Sequence, residues 1–228
     1  MKYGDMLKEM RDPGATPARV EEIARIFNEF GAREDKYKSW TQFSDSRINP
    51  MALMMPFQRV YDREIDIDTA SLTIPIPSDF THLMMVGIGR TTATPGTPQE
   101  QSLNVTFNDD TATNYQWSYI GSRSGVVVLD DNNSQSNLAL GMFNTDNCAA
   151  NSASSFFCWF PHYNGNFWKM CLSIIAGQKT TTANGTESTL MTGFWKSTDP
   201  IRSMQIVPGG GLGGNLKAGS LITVYGMN

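Results

Sequence analysis

The stretch GFWKSTDPIRSMQIVPGGGLGGNLKAGSLITVYGMN, from Gly193 to Asn228, decides the fold class of this chain. It contains three short apolar runs, which clusters of Pro, Gly, Asp and Asn separate. Short runs rich in β-branched and aromatic residues between such turn residues predict β-strands. Gly209, Gly211 and Gly214 also fit the spacing of a dinucleotide-binding loop, but that loop must open a helix. Because a strand-like run follows these glycines, we expect a turn between two strands and no cofactor.

The same pattern extends back through the chain to Tyr61. The candidate strands are Tyr61–Asp68, Leu72–Ile76, His82–Gly89, Leu103–Phe107, Gln116–Ile120, Val126–Leu129, Leu138–Phe143, Phe156–Phe160, Met170–Ile175, Thr189–Trp195, Arg202–Val207 and Leu221–Tyr225. Turn clusters such as TPGTPQ and NDDT separate them, and no alternation of strands with helices appears. Residues 58–228 are therefore predicted to form a mainly β domain, a jelly-roll-like antiparallel β-sandwich.

The first third of the chain carries helical signals instead. Thr16 and Pro17 form a favourable helix start, and Gly31 is a stop. Apolar residues at helical spacing between them share one face, namely Val20, Ile23, Phe27 and Phe30. We therefore expect residues 1–57 to form an N-terminal helical and extended arm, whose apolar face needs a surface to cover.

Two further parts of the predicted arm are apolar. Tyr37, Trp40 and Phe43 recur every three residues, which is typical of one more helical stretch. The segment NPMALMMPF follows, and its apolar residues are Met51, Leu53, Met54, Met55 and Phe57. Met adapts to irregular grooves, so this strip suits a contact on another protein surface. It is equally compatible with folding back on its own domain.

The amino-acid composition limits the kinds of partner that we expect for this protein. Charged residues make up 18% of the chain, below the average of about 25%. The net charge is −4, and no Lys/Arg cluster indicates a nucleic-acid site. No apolar run approaches the roughly 18 residues of a membrane span. The three cysteines, an odd number, predict buried thiols in a protein made in a reducing cytoplasm.

Four carboxylates alternate with other residues at the start of the predicted β domain. They are Asp62, Glu64, Asp66 and Asp68. On one strand they would share a face, and like charges in a row repel each other. Such a face is solvated, paired with Lys or Arg across a subunit interface, or loaded with a hard cation such as Ca²⁺. We favour a solvated or partner-facing charged row and expect no resident metal.

Aromatic residues are dense between the predicted strands at 156–160 and 170–175. They are Phe156, Phe157, Trp159, Phe160, Tyr163, Phe167 and Trp168. Burial in the core or in a subunit interface is the simpler interpretation, whereas exposed aromatics would suit a platform that binds glycans. With two His residues and no G-x-S-x-G motif, the sequence gives little support to a hydrolase.

Three blocks of the chain resemble a family of phage virion structural proteins. They are IPIPSDFTHLMMVGIGR at Ile74 to Arg90, LNVTFNDDTATNYQ at Leu103 to Gln116, and the pair GFWKSTDPIRSMQIV and NLKAGSLITVYG near the end. The third block is the most specific, because several spaced residues agree in order. The resemblance covers Leu72 to Asn228 and implies a jelly-roll-like sandwich in capsid decoration, neck or tail-fibre proteins.

The resemblance implies a non-enzymatic role in the virion, after assembly in the bacterial cytoplasm. Our first expectation is a capsid decoration, or cement, protein that forms a homotrimer and clamps the major capsid protein. In this hypothesis the arm residues contact the capsid or a neighbouring copy. The alternative is a neck, tail or fibre subunit whose sandwich binds a host-surface glycan. Neither role requires a cofactor, a nucleic acid or a membrane.

Overall fold

A computed structural model describes residues 57–95, 100–123, 126–180 and 185–228, and this part of the chain is mainly β. The strands are β1 Phe57–Glu64, β2 Leu72–Pro75, β3 His82–Gly89, β4 Glu100–Phe107, β5 Tyr115–Arg123, β6 Val126–Gln135, β7 Leu138–Asn144, β8 Ser154–Phe160, β9 Lys169–Gln178, β10 Thr186–Trp195, β11 Ser203–Pro208 and β12 Leu221–Met227. Each predicted strand has a counterpart here, which confirms the β assignment. The predicted N-terminal helix lies outside the described residues.

The strands form two antiparallel sheets. The larger sheet has eight strands in the order β1-β12-β3-β8-β9-β10-β5-β6, and the smaller has four in the order β2-β11-β4-β7. The chain crosses repeatedly between the sheets, since β2, β4, β7 and β11 each lie between strands of the larger sheet in sequence. This arrangement is consistent with the predicted β-sandwich.

Apolar side chains from both sheets form one core between them. Strand β3 contributes Leu83 and Met85, and strand β11 contributes Met204 and Ile206, all fully buried. Such burial stabilises the fold by about 25 cal/mol per Å² of apolar surface. The cysteines are buried free thiols as predicted.

Strand β1 differs from its prediction. The strand expected at Tyr61–Asp68 instead begins at Phe57 and ends at Glu64. Beyond Glu64 the Ile65 side chain enters the core, its backbone N–H donates to the carbonyl of Ser220 at 2.8 Å, and the chain then bends at Ile67. Asp66 and Asp68 therefore follow the strand, and the four carboxylates do not alternate along a single β-strand.

The glycine-rich segment between β11 and β12 is a loop, as predicted. Gly210 and Gly211 have φ angles of +75° and +72°, a region that favours glycine over other residues. No helix follows it, since the next element is strand β12. The dinucleotide-binding interpretation is thereby excluded for this segment.

Candidate assembly interface

The outer face of the eight-stranded sheet, which points away from the four-stranded sheet, carries apolar side chains among Ser, Thr and Gln, and no charged residue on its middle strands. On β9, for example, Cys171, Ser173 and Ile175 are buried, whereas Met170 and Ile174 point outward and are exposed. Strands β8 and β10 alternate in the same way, and strand pairing fixes which residues of β12, β3 and β5 point outward. None of the outward-facing residues of these six middle strands is Asp, Glu, Lys or Arg. We call this surface the outer face.

Strand register aligns one apolar outward side chain from each of six strands in one row. Val86 pairs with Phe157, Phe157 with Ile174, and each later strand continues the row. The complete row is Val86, Phe157, Ile174, Leu190, Ile120 and Leu129. Ile174 is 49% exposed and Leu129 is 73% exposed. An apolar row across six strands is a contiguous patch rather than a set of scattered residues.

The outer face has the dimensions of a protein interface. Six strands about 4.8 Å apart, with three outward positions about 6.8 Å apart along each, cover roughly 600 Å². Each partner in a standard interface contributes about 800 Å². Apolar residues occupy part of this area, and contiguous exposed apolar patches of a few hundred Å² mark interaction sites. The face is therefore large enough to serve as the core of an interface.

Charged residues lie at both edges of the outer face. At the β1 edge, Arg59 pairs with Asp62 at 2.9 Å, and Asp62 accepts a hydrogen bond from the Thr223 hydroxyl at 2.8 Å. At the β6 edge lie Asp130 and Asp131, both exposed. An apolar centre inside a polar rim is the usual anatomy of a protein interface.

Two depressions flank the apolar row near the β6 edge. One has a volume of about 660 Å³ and is lined by Ile120, Leu129, Leu190, Asp130 and Asp131, among others. The other, of about 330 Å³, lies toward Ser122 and Ser188, and no carboxylate lines it. We call the first the acidic depression. It combines an apolar floor with hydrogen-bond acceptors at its rim.

The loop between β8 and β9 presents two adjacent aromatic side chains. Phe167 is 74% exposed and Trp168 is 58% exposed. The next residue, Lys169, is 2% exposed, and its ammonium group lies among backbone carbonyls. It donates to the carbonyls of Phe167 at 2.6 Å, Gly165 at 2.8 Å, Thr198 at 3.1 Å and Ser197 at 3.5 Å. Burial lowers the pKa of Lys169, although the nearby Asp199 carboxylate opposes this.

Further hydrogen bonds attach this loop to its neighbours. The Asn164 amide donates to the carbonyl of Phe80 at 2.7 Å, and the Tyr163 hydroxyl donates to the carbonyl of Pro77. The backbone N–H of Ile201 donates to the carbonyl of Tyr163 at 3.0 Å. Three loops are thereby tied together beneath the exposed aromatic pair, which we call the aromatic knob.

Two histidines connect the same loop to the outer face. The His82 Nδ1 accepts a hydrogen bond from the backbone N–H of His162 at 3.2 Å. The His82 ring stacks on Trp159 with the ring centres 5.3 Å apart. Burial, and then the charge of His162, lowers the pKa of His82. A neutral imidazole fits this geometry, since only an unprotonated nitrogen accepts a hydrogen bond.

The predicted site residues have different outcomes. Val20, Ile23, Phe27, Phe30, Trp40, Met51, Leu53, Met54 and Met55 lie outside the described residues. Phe57 begins β1 and is partly exposed. Of the four carboxylates in the predicted charged row, Asp62 and Glu64 lie on β1. Asp68 accepts a hydrogen bond from the backbone N–H of Ala218 at 2.9 Å. Their role in a partner contact stays a prediction.

The predicted aromatic cluster divides into three groups. Phe157 and Trp159 are half-buried on the outer face of β8. Phe156, Phe160 and Tyr163 are buried in the core, as the simpler interpretation required. Phe167 and Trp168 are exposed, as a binding platform requires. The outer face itself was not predicted. Its signal was present in runs such as MMVGI and FFCWF, which lack the polar alternation of a strand with one solvated face.

The described part of the chain gives two further findings. Among residues 57–95, 100–123, 126–180 and 185–228, no group of three His, Cys, Asp or Glu side chains is arranged to hold a metal ion. Within the same residues there is no helix with the length and hydropathy to cross a bilayer.

No protein-family model, curated protein or solved structure matches this chain.

Proposed function

We propose that this chain is a non-enzymatic structural protein of a bacteriophage virion, in which it decorates the capsid and stabilises the shell of the major capsid protein. The observation that carries the proposal is the apolar row on an outer face whose middle strands carry no charged residue. A solvated enzyme or a freely diffusing binding module would leave this face in water. An assembly protein covers it with other subunits. The resemblance of the segment from Leu72 to Asn228 to virion proteins supports the location.

The proposed mechanism is mechanical. Apolar surface that becomes buried across a joint between capsid subunits contributes about 25 cal/mol per Å² before the costs of association. Repeated over many copies, these contacts oppose the internal pressure of a filled capsid. The charged edges near Asp62 and Asp131 then set the orientation of each contact rather than its strength.

The proposal also specifies the topology of the sandwich, the role of the N-terminal residues and the assembly of the protein. The sandwich is jelly-roll-like: without the β1-β12 edge pair and the β9-β10 hairpin, the sheet orders β2-β11-β4-β7 and β3-β8-β5-β6 follow the two-sheet arrangement of jelly rolls. Residues 1–57 serve as an arm that contacts the capsid or a neighbouring copy. The protein forms a homotrimer and resides in the virion, with no cofactor, nucleic acid or membrane as a partner.

Copy number in purified virions tests the location. We expect quantitative mass spectrometry to find hundreds of copies per particle, because a decoration protein repeats with the symmetry of the shell. About a dozen copies or fewer, in contrast, would place the protein in the neck or tail. Complete absence from the particle would refute the proposal.

Substitutions on the outer face test the mechanism. Ile174→Lys and Met170→Lys each place a charge on the β9 part of the outer face, where it would lose its hydration in an interface. We expect at least tenfold weaker binding to capsids that lack the protein, with the unfolding temperature unchanged. Ile67→Lys is the matched control, because Ile67 is exposed in the loop that follows β1. Equal binding by all three variants would exclude the outer face as the contact.

The exposed aromatic knob favours a second candidate function. Phe167 and Trp168 on a loop that is held in place would suit the stacking of sugar rings in a neck, tail or fibre subunit. In that case the isolated protein should bind host-surface glycans on an array, and Trp168→Ala should abolish this signal. Low copy number in the particle would accompany such a result.

A further inference from the structure

We propose that the aromatic knob of one copy docks into the acidic depression of a second copy, so that knob and depression form a subunit contact. This contact rests on the self-association within the proposed function and specifies the residues that produce it. The two features lie in different parts of the larger sheet. The knob belongs to the β8–β9 loop, whereas strands β5, β6 and β10 form the depression.

The knob is built to bind with little loss of conformational freedom. Lys169 holds the backbone of its loop through four carbonyls, and Tyr163 and Asn164 tie the loop to the segment before β3. Ordering a mobile side chain or loop on binding costs free energy, and a loop already held avoids most of it. Large aromatics presented in this way are the residues that dominate binding energy at protein interfaces.

The acidic depression complements the knob in chemistry. It is a broad, open hollow of about 660 Å³ on the sheet surface. Ile120, Leu129 and Leu190 offer an apolar surface to the two rings. A buried indole N–H needs an acceptor, and Asp130 or Asp131 at the rim supplies a carboxylate oxygen. The smaller depression beside it has no carboxylate lining.

The contact joins two different surfaces, so it repeats from copy to copy. Such head-to-tail contacts close into rings when the rotation between copies permits it. A closed ring of three is the homotrimer that we propose. The acidic depression occupies the β6 end of the outer face, which leaves the part on β3, β8 and β9 for a different partner.

The test uses two variants of the full-length protein that each destroy one side of the contact. Trp168→Glu removes the knob, and Leu129→Glu places a charge in the depression, whereas Ile67→Glu is an exposed control away from both. Circular dichroism establishes that each variant is folded. By sedimentation velocity we expect the wild type and the control to form oligomers. Each variant alone should associate at least tenfold more weakly.

Mixing the two variants makes the test specific. The Leu129→Glu variant keeps its knob and the Trp168→Glu variant keeps its depression, so an equal mixture should form a heterodimer through one intact contact. Native mass spectrometry resolves this species. A general defect in folding would not be repaired by mixing.

Several results would overturn the contact. If both variants form the same oligomers as the wild type, the protein self-associates, but the knob and the depression are not the surfaces responsible. A mixture that forms no heterodimer would also exclude the pairing. A wild type that stays monomeric would refute self-association itself, while virion copy number would still decide the proposed location. Glycan binding that Trp168→Ala abolishes, with assembly unchanged, would assign the knob to a sugar instead.

Discussion

Lys169 shows at the scale of one residue how this fold holds a functional loop. Buried lysines are rare unless their charge is satisfied, and here backbone carbonyls from two loops satisfy it. The residues that supply these carbonyls lie up to 29 positions away along the chain. Local sequence gives no sign of such a contact. For this reason the sequence predicted a dense aromatic cluster but could not separate Phe167 and Trp168 from the buried members.

Replacement of Lys169 should test this role directly. Lys169→Met keeps most of the side-chain length but leaves the carbonyls without their donor, and buried groups without partners are costly. We expect the free energy of unfolding to fall by about 2–3 kcal/mol in urea denaturation. Lys196→Met, on a half-buried lysine just after β10, is the matched control and should change it by less than about 0.5 kcal/mol. Equal effects of the two substitutions would refute the special role of Lys169.

At the scale of the secondary-structure element, the sequence predicts where each strand lies along the chain better than it predicts what covers each face of that strand. Turn residues and runs of β-branched and aromatic residues predicted strands such as His82–Gly89 with the bounds that β3 has. The same runs do not show which of their residues face the core and which face outward. MMVGI contributes Met85 to the core and Val86 to the outer face, although the two residues have similar apolar character. Only the packing of a second sheet distinguishes them.

The β8–β9 loop should respond to acid through His82. Because burial and the charge of His162 lower the pKa of His82 below its unfolded value of about 6.5, the unfolded chain takes up this proton first. The contribution of His82 to stability is therefore complete above about pH 6.5 and is lost as the pH falls through and below this value. Protonation also removes the acceptor for the His162 N–H, which loosens the loop that carries the aromatic knob.

Thermal unfolding at about pH 7.5 and about pH 5.5 checks this expectation. His82→Asn keeps a hydrogen-bond acceptor near the position of Nδ1 but cannot titrate, so its unfolding temperature should fall less than that of the wild type between these conditions. Self-association of the wild type should weaken over the same interval. An identical decrease in stability for wild type and variant would assign the acid response to other groups.

At the scale of the whole molecule, the described residues divide structural and assembly roles between the two faces of one sheet. The inner face of the eight-stranded sheet packs on the four-stranded sheet, and the core cluster draws residues from both. The outer face carries the apolar row from Val86 to Leu129. Substitutions on the inner face should therefore unfold the protein, whereas those on the outer face should only prevent assembly.

Deletion of residues 1–56 separates the arm from the sandwich. The described core cluster contains residues from Ile65 to Val224, so we expect the truncated chain to keep its cooperative unfolding transition. In the proposed function the apolar arm residues, including Phe27 and Met54, provide contacts with the capsid or a neighbouring copy. The truncated protein should therefore lose at least tenfold in capsid affinity in a cosedimentation assay, while it retains the knob-dependent self-association. Outer-face variants of the full-length chain distinguish the arm contact from the outer-face contact, because they weaken capsid binding while the arm is still present. Full capsid affinity after truncation would show that the arm plays no part in docking and would assign the whole contact to the outer face.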